Sequence, residues 1–330
     1  MLAAAGLLAR APLGSAATVA GDTASAQGAA SGGGAPASFE VQATPGRPLT
    51  IVAYGDTRFS QRGGDIVNPY ARRELVAKIA DERPAAVLIG GDLVYDGSNP
   101  DDYDVYRSET AEWANRGIPV FAALGNHEFR GCSKADADPC LENWWNAFGG
   151  QRLRGHRWYS VSIGPQVLAL ILDSDSHLKP GSEQRDWFER EITSADPRFE
   201  FILIVLHYPP VRDPFYPRML DEKEVAGYLS RKAPSMHAQV IVIGSHVHNY
   251  ERYHRDGVTY LVSGGGGAKP VPAARLFGER SQLRTSVNYH YVRFVLDGGR
   301  LTGTMVRFDA SVERSADPWT EPDRFEVTAK

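Results

Sequence analysis

Short, nearly unbroken apolar runs alternate along this chain with longer stretches in which apolar residues recur every three or four positions. Residues 49–54, 86–89, 120–124, 201–206 and 240–243 form runs of the first kind. Their length and β-branched content predict strands buried on both faces. The stretch 69–81 is of the second kind: Leu75, Val76 and Ile79 share one face, and Pro69 suits a first helical turn. A second helix is predicted over 101–116, with Tyr106 and Trp113 on its buried side. This strand–helix–strand order implies parallel pairing through right-handed crossovers. Residues 158–163 and 167–172 flank Gly164-Pro165 and read as a hairpin. Ser182 is placed to cap a helix carrying Trp187, Phe188 and Ile192. Later, 258–262, 291–296 and 301–308 alternate as strands do, the last two joined at Gly298-Gly299. No linker interrupts 47–310. The economical reading is one α/β domain of two mixed sheets with outer helices, followed by a polar tail, 311–330, that wraps the surface.

The first 38 residues differ from the rest. They are mostly Ala, Gly, Ser and Thr, and cannot bury enough surface to offset their ordering entropy. Leu7 and Leu8 sit in a weak apolar stretch, and Ala24-Ser25-Ala26 gives a small-x-small pattern before Gln27. Segment 1–38 therefore reads as signal-like and disordered, and the expected location is secreted or periplasmic; the alternative is an unprocessed tail. Cys132 and Cys140 are the two cysteines, and their short separation suits a local disulfide in an oxidising compartment, the alternative being two free thiols. The formal net charge of -4 gives no basic stripe for a nucleic-acid surface. No run of about 18 apolar residues predicts a membrane span.

Candidate chemistry collects where the predicted strands end. Asp56, Asp92, Asn126, His207 and His246 each stand at, or within a few residues of, the carboxyl end of a buried strand, and His248 follows two residues later. In open α/β sheets, sites form in the crevice beyond those ends. All six are metal-ligand types. Phosphoryl transfer needs its charge neutralised and a water made nucleophilic near neutral pH, which two close metal ions accomplish. Asp92 is the natural bridge between them. Oxygen ligands such as Asp56 and Asn126, mixed with three imidazoles, suit Fe, Zn or Mn better than Ca or Mg alone.

Five blocks then stand in order: Gly55-Asp56-Thr57-Arg58, Gly91-Asp92-Leu93-Val94-Tyr95, Gly125-Asn126-His127-Glu128, Leu206-His207, and Gly244 to Arg252 containing His246-Val247-His248. In these blocks the chain resembles the calcineurin-like metallophosphoesterase superfamily, and within it the purple acid phosphatases. Each block alone is weak, but five in order at strand ends are specific. The resemblance implies a four-layer sandwich and two metal ions. One ion would take Asp56, Asp92, Tyr95 and His248, and the other Asp92, Asn126, His207 and His246. His127 would act beside the phosphate as proton donor or electrostatic stabiliser. Tyr95 points to the purple acid phosphatases, because many superfamily members instead place His two residues after the first Asp, where Arg58 stands here. A Tyr ligand implies Fe(III) beside divalent Fe, Zn or Mn, and an acidic optimum. Purple acid phosphatases usually have Gly at the Arg58 position, so Arg58 either reaches the substrate or forms a surface ion pair. Ser245 stands where Gly is common.

His156, His177, His237, His254 and His290 lack such company. The run 264–267 is rich in Gly but lacks the Lys of a phosphate loop, and reads as a backbone wall near the metals. Trp144 and Trp145 read as core. The expected activity is hydrolysis of phosphate monoesters on phosphorylated small molecules, with a phosphodiesterase or nucleotidase as the alternative. Loops around 60–70, 130–155 and 208–220 choose between them. A non-catalytic metal- or phosphate-binding module is disfavoured because no ligand of the set is missing.

Overall fold

Two sheets form from the apolar runs. The computed structural model describes residues 36–44, 46–132, 138–148, 153–213, 221–272, 289–312 and 317–330. The signal-like reading of the N-terminus falls almost wholly outside them, as do parts of the loops expected to set substrate choice. In chain order the elements are β1 (Ser38–Val41), β2 (Leu49–Tyr54), α1 (Pro69–Glu82), β3 (Ala86–Ile89), α2 (Pro100–Glu109), α3 (Ala111–Asn115), β4 (Val120–Ala122), α4 (Asp138–Phe148), β5 (Tyr159–Ile163), β6 (Val167–Ile171), α5 (Glu183–Ala195), β7 (Phe201–Val205), α6 (Glu222–Lys232), β8 (Gln239–Gly244), β9 (Tyr250–Arg255), β10 (Val258–Ser263), β11 (Tyr289–Asp297), β12 (Arg300–Phe308) and β13 (Trp319–Thr328). One sheet has seven strands in the order β1-β5-β6-β7-β8-β10-β9, and the other six in the order β13-β12-β11-β2-β3-β4.

The period of two along each strand builds the layers. In β6 and β7, Val167, Ala169, Ile171, Phe201, Leu203 and Val205 face the core shared with the other sheet. Their alternates Leu168, Leu170, Ile202 and Ile204 pack with Trp187, Phe188 and Ile192 of α5 and Val225 and Leu229 of α6. On the far side, Leu75, Val76 and Ile79 of α1 and Trp113 of α3 cover the six-stranded sheet. Helix, sheet, sheet, helix is the expected four-layer order, and each buried aliphatic contributes about 1.5–3 kcal/mol.

Several expectations need correction. The helix read over 101–116 breaks at Thr110, whose hydroxyl donates to Tyr106 O at 2.7 Å. The break turns Trp113 inward so that its Nε1 donates to Val76 O at 2.9 Å. Ser182 sits at the N-cap position of α5, but its hydroxyl donates to His177 O and Lys179 O and caps no helical N–H. Residues 311–330 are not simply a surface tail. β13 pairs antiparallel with β12 and packs Phe325 and Val327 against the core. Its charged residues and Pro322 are compatible with an edge strand. β1 likewise lies ahead of the expected domain start and pairs parallel with β5. α4, α6 and β9 were also absent from the sequence reading. The β9–β10 turn had a legible signal in Asp256-Gly257, which takes φ 51° and 76°. Cys132 and Cys140 are bridged, with Cα atoms 6.2 Å apart.

Candidate metal centre

Parallel strands bring the candidates together. β2, β3, β4, β7 and β8 run into Asp56, Asp92, Asn126, His207 and His246. Asp56, Asp92 and His246 all take left-handed φ, 55°, 51° and 66°. Such strain costs about 1–3 kcal/mol per residue and persists only where the surroundings fix it. The glycine wall is one of those surroundings: a Cβ on Gly264 would lie 2.5 Å from Asp56 Oδ2.

Asp56, Asp92 and His207, all buried, each offer a ligand atom within 4.8 Å of the others. His207 Nε2 is the hub of a second group. It lies 3.1 Å from Asn126 Oδ1, 3.2 Å from Asp92 Oδ1 and 3.3 Å from His246 Nδ1. Its Nδ1 bonds Gly90 O at 2.9 Å, which as donor leaves the Nε2 lone pair facing the group. His248 repeats the device: Nδ1 bonds Lys269 O at 2.9 Å and Nε2 faces Asp56 Oδ1 at 3.5 Å. Neither oxygen of the buried Asp56 carboxylate meets hydrogen-bond geometry with a partner among the described residues. The His246 N–H and the Asp92 carboxylate nevertheless act on its charge.

A buried carboxylate so weakly partnered is costly without a cation. Burial and the neighbouring Asp92 push the Asp56 carboxyl well above its usual range. Burial would raise Asp92 too, but His207, His127 and Arg58 hold it well below that range. Burial lowers the imidazoles, His246 to about 3 with His207 beside it and His248 to about 4 with Arg58 near it. The donor set is thus two carboxylates, an amide oxygen and three imidazoles. It fits a pair of metal ions, and the three-residue group alone provides a candidate for one.

His127 is buried, with Nδ1 bonded to Tyr95 O at 2.6 Å and Nε2 3.8 Å from Asp92 Oδ2. Arg58 also reaches the site, its Nη2 3.1 Å from Asp92 Oδ2. Tyr95 is placed by its ring, which lies 5.2 Å from that of His127 and carries the guanidinium carbons of Arg62 and Arg130 at 4.5 and 4.3 Å. The remaining histidines among the described residues have other partners where these are seen: His177 meets Asp221, and His290 bonds Ser263. Trp144 is fully buried, as expected.

Three bracing residues escaped the sequence reading. Glu128 is buried and accepts four backbone N–H groups, those of Asp92, Leu93, Val94 and Gly125, at 2.6–3.3 Å. Its signal was its place beside Asn126-His127. Burial and then Asp92 push its carboxyl up to about 8. Arg72, fully buried in α1, donates to Arg58 O, Ser60 O and both oxygens of Glu109, which fixes the loop after Asp56. Tyr208 lays its ring 4.7 Å from that of His246 and donates its hydroxyl to Asp175. Only the adjacency of Tyr208 to His207 could have flagged it.

Solved structures share this fold. A purple acid phosphatase from yellow lupin (Lupinus luteus) seeds superposes with a TM-score of 0.66 at 19% identity, over 88% of this chain and 55% of the lupin protein. The chain therefore spans little more than half of that enzyme. A dimetal phosphatase from Danio rerio gives 0.60 at 18% identity, over 86% of this chain and all of its own. GAP50, an anchor in the inner membrane complex of Plasmodium, gives 0.62 at 15% identity, over 86% and 89%. No curated protein matches in sequence. At these identities the superpositions establish the fold alone. The sequence profile of the calcineurin-like phosphoesterases, however, matches residues 49–250, from the first strand of the site past its last histidine, and the chain belongs to that family.

Proposed function

We propose that this chain hydrolyses phosphate monoesters with two metal ions, in the manner of a purple acid phosphatase. The observation that carries the reading is the carboxylate of Asp92. It lies between the Asp56–His248 pair and the His207–Asn126–His246 group, held below its usual range and so ionised. Asp56, Asp92, Tyr95 and His248 would hold one ion, iron(III) by virtue of the tyrosine. Asp92, Asn126, His207 and His246 would hold divalent Fe, Zn or Mn. Bound there, the ions supply positive charge to the phosphate oxygens and acidify a water for in-line attack.

The chain's own groups do the rest. The carbonyl of Tyr95 fixes the ring of His127 so that Nε2 faces the site. At that atom His127 holds the proton that the departing oxygen takes. Burial lowers its pKa, so protonated His127 is favoured at acidic pH. Arg58 places a permanent charge beside Asp92, where a phosphate oxygen is drawn in. The Cys132–Cys140 bridge supports a location outside the reducing cytosol.

The test is hydrolysis of an aryl phosphomonoester against the matching diester across pH, with enzyme reconstituted in iron plus zinc. Asp92→Asn serves as the blank, expected to lose about 10³-fold or more in turnover while still folded. Monoester preference at acidic pH supports the reading. Diester preference near neutral pH makes the protein a phosphodiesterase. Near-normal turnover by Asp92→Asn removes the two-metal mechanism.

A further inference from the structure

Two arginines stand on Tyr95 beyond the groups just described. The guanidinium carbons of Arg62 and Arg130 lie 4.5 and 4.3 Å from its ring centroid. Both residues are exposed. Neither makes an ion pair with a carboxylate among the described residues. The Asp102 carboxylate feels the charge of Arg62, but its oxygens accept from the Asp96 N–H at 3.0 Å and Asn99 Nδ2 at 3.1 Å. Two cations thus stand on one aromatic ring, neither of them in an ion pair among the described residues.

That spot adjoins the reacting centre. The Tyr95 ring lies 5.2 Å from the His127 ring, and His127 Nε2 lies 3.8 Å from Asp92. The arginines therefore sit one aromatic ring further out than the group assigned to the leaving oxygen. Arg130 is set in place before any ligand arrives. Its N–H donates to His127 O at 3.1 Å and its carbonyl accepts from Ser98 N–H at 3.1 Å. Cys132, two residues on, is tied to α4 by the disulfide. Stacking on a ring holds a guanidinium's plane while leaving its N–H edges for an anion. Held groups lose less entropy when a ligand binds.

We infer that Arg62 and Arg130, held on Tyr95, form an anion clamp for a second negatively charged group on the leaving-group side of the substrate. The inference rests on the phosphoesterase reading and narrows it. The favoured substrate class is a phosphate ester or anhydride whose leaving group bears a further phosphoryl or carboxylate group. Forked guanidinium groups match either anion.

The clamp is tested by binding, independently of turnover. Calorimetry on the metal-loaded protein compares ethylphosphonate, which carries one anionic group, with methylenediphosphonate and 2-carboxyethylphosphonate, which carry two. Wild type is expected to bind at least one of the doubly anionic ligands about tenfold tighter than ethylphosphonate. That ratio falls about threefold or more in Arg62→Gln and in Arg130→Gln, and approaches one in the double variant. Comparing ratios across variants cancels any affinity of the ligands for the ions themselves. Arg→Lys at each position keeps the charge without the fork and gives intermediate ratios. Preference for the diphosphonate alone identifies a second phosphoryl group, and preference for both a general second anion. A ratio unchanged between wild type and the double variant, or near one in wild type, overturns the clamp. Hydrolysis of an aryl monophosphate is measured in parallel. Its absence in wild type overturns the phosphomonoesterase reading, while the binding ratios still report on the arginines.

Discussion

Ser245 Oγ fills the space beside Gly55: a Cβ on that glycine would lie 2.2 Å from it, and one on Gly90 2.3 Å. The hydroxyl also donates to Ser263 O at 3.2 Å. The ends of β2, β3 and β8 thus meet at one side chain, just ahead of Asp56, Asp92 and His246. Gly55→Ala is expected to cost about 1–3 kcal/mol through overpacking. In a Ser245→Gly background the same change should cost markedly less, since the clashing atoms are gone. Urea unfolding of the four proteins measures the difference. An equal cost in both backgrounds would show that Ser245 is not what excludes the methyl group.

Glu128 organises the backbone under the site. Each of its oxygens accepts two N–H groups. In Glu128→Gln one of those oxygens becomes an NH2 that cannot accept, so two buried donors lose their partner. The expected loss of stability is about 2–5 kcal/mol. Metal affinity should fall with it, because the N–H groups of Asp92 and Gly125 flank two of the ligand positions. Thermal unfolding and metal titration together check this. Wild-type stability in the variant would mean that water replaces the carboxylate freely.

Without metal, the stability of the fold should depend on pH in a definite direction. Glu128 is raised in the folded state from its ordinary 4.5 to about 8, and Asp56 is raised as well. The folded protein therefore holds protons that the unfolded chain has released. The corresponding stabilisation is full below the unfolded values and is lost as pH rises towards 8. His246 and His248, lowered to about 3 and 4, and His127, also lowered, oppose this trend up to about one pH unit above their ordinary 6.5. From pH 7 to 8.5, where the histidines contribute little, protein treated with chelator should lose about 1 kcal/mol. Metal-loaded protein should not, because the ions favour the ionised carboxylates. Denaturant unfolding at both pH values, with and without metal, decides it. A metal-free protein that gains stability over this range would contradict the assignment.

Tyr95 carries the iron assignment. If its phenolate ligates iron(III), the reconstituted enzyme absorbs visible light and Tyr95→Phe abolishes that band. Absorption spectra of the two proteins, matched for iron content, make the comparison. An unchanged band would remove Tyr95 from the ligand set and leave its ring as a support for Arg62 and Arg130.

The strands that position the site were legible because burial on both faces writes a continuous apolar run, as in β3 and β7. The residues at their ends were legible as candidates because metal ligation restricts residue type. The supports were not. Glu128 and Arg72 act through backbone groups contributed by distant segments, and nothing in local periodicity records that Arg72 of α1 holds the carbonyl of Arg58. β13 was read as tail because an edge strand keeps polar residues on its open side. Thr110 broke a helix that periodicity alone would have continued, since the gain came from seating Trp113 against α1.

β13 does more than lengthen a sheet. Asp323 accepts from Tyr250 Oη at 2.6 Å and from Arg252 Nε and Nη2 at 2.7 and 2.9 Å. It thereby fastens β9, on the edge of the other sheet, immediately after His246 and His248. On a ribosome, all the proposed metal ligands emerge before Asp323 does. The histidine segment therefore acquires this anchor only after every proposed ligand has been made, from a strand that contributes no ligand itself.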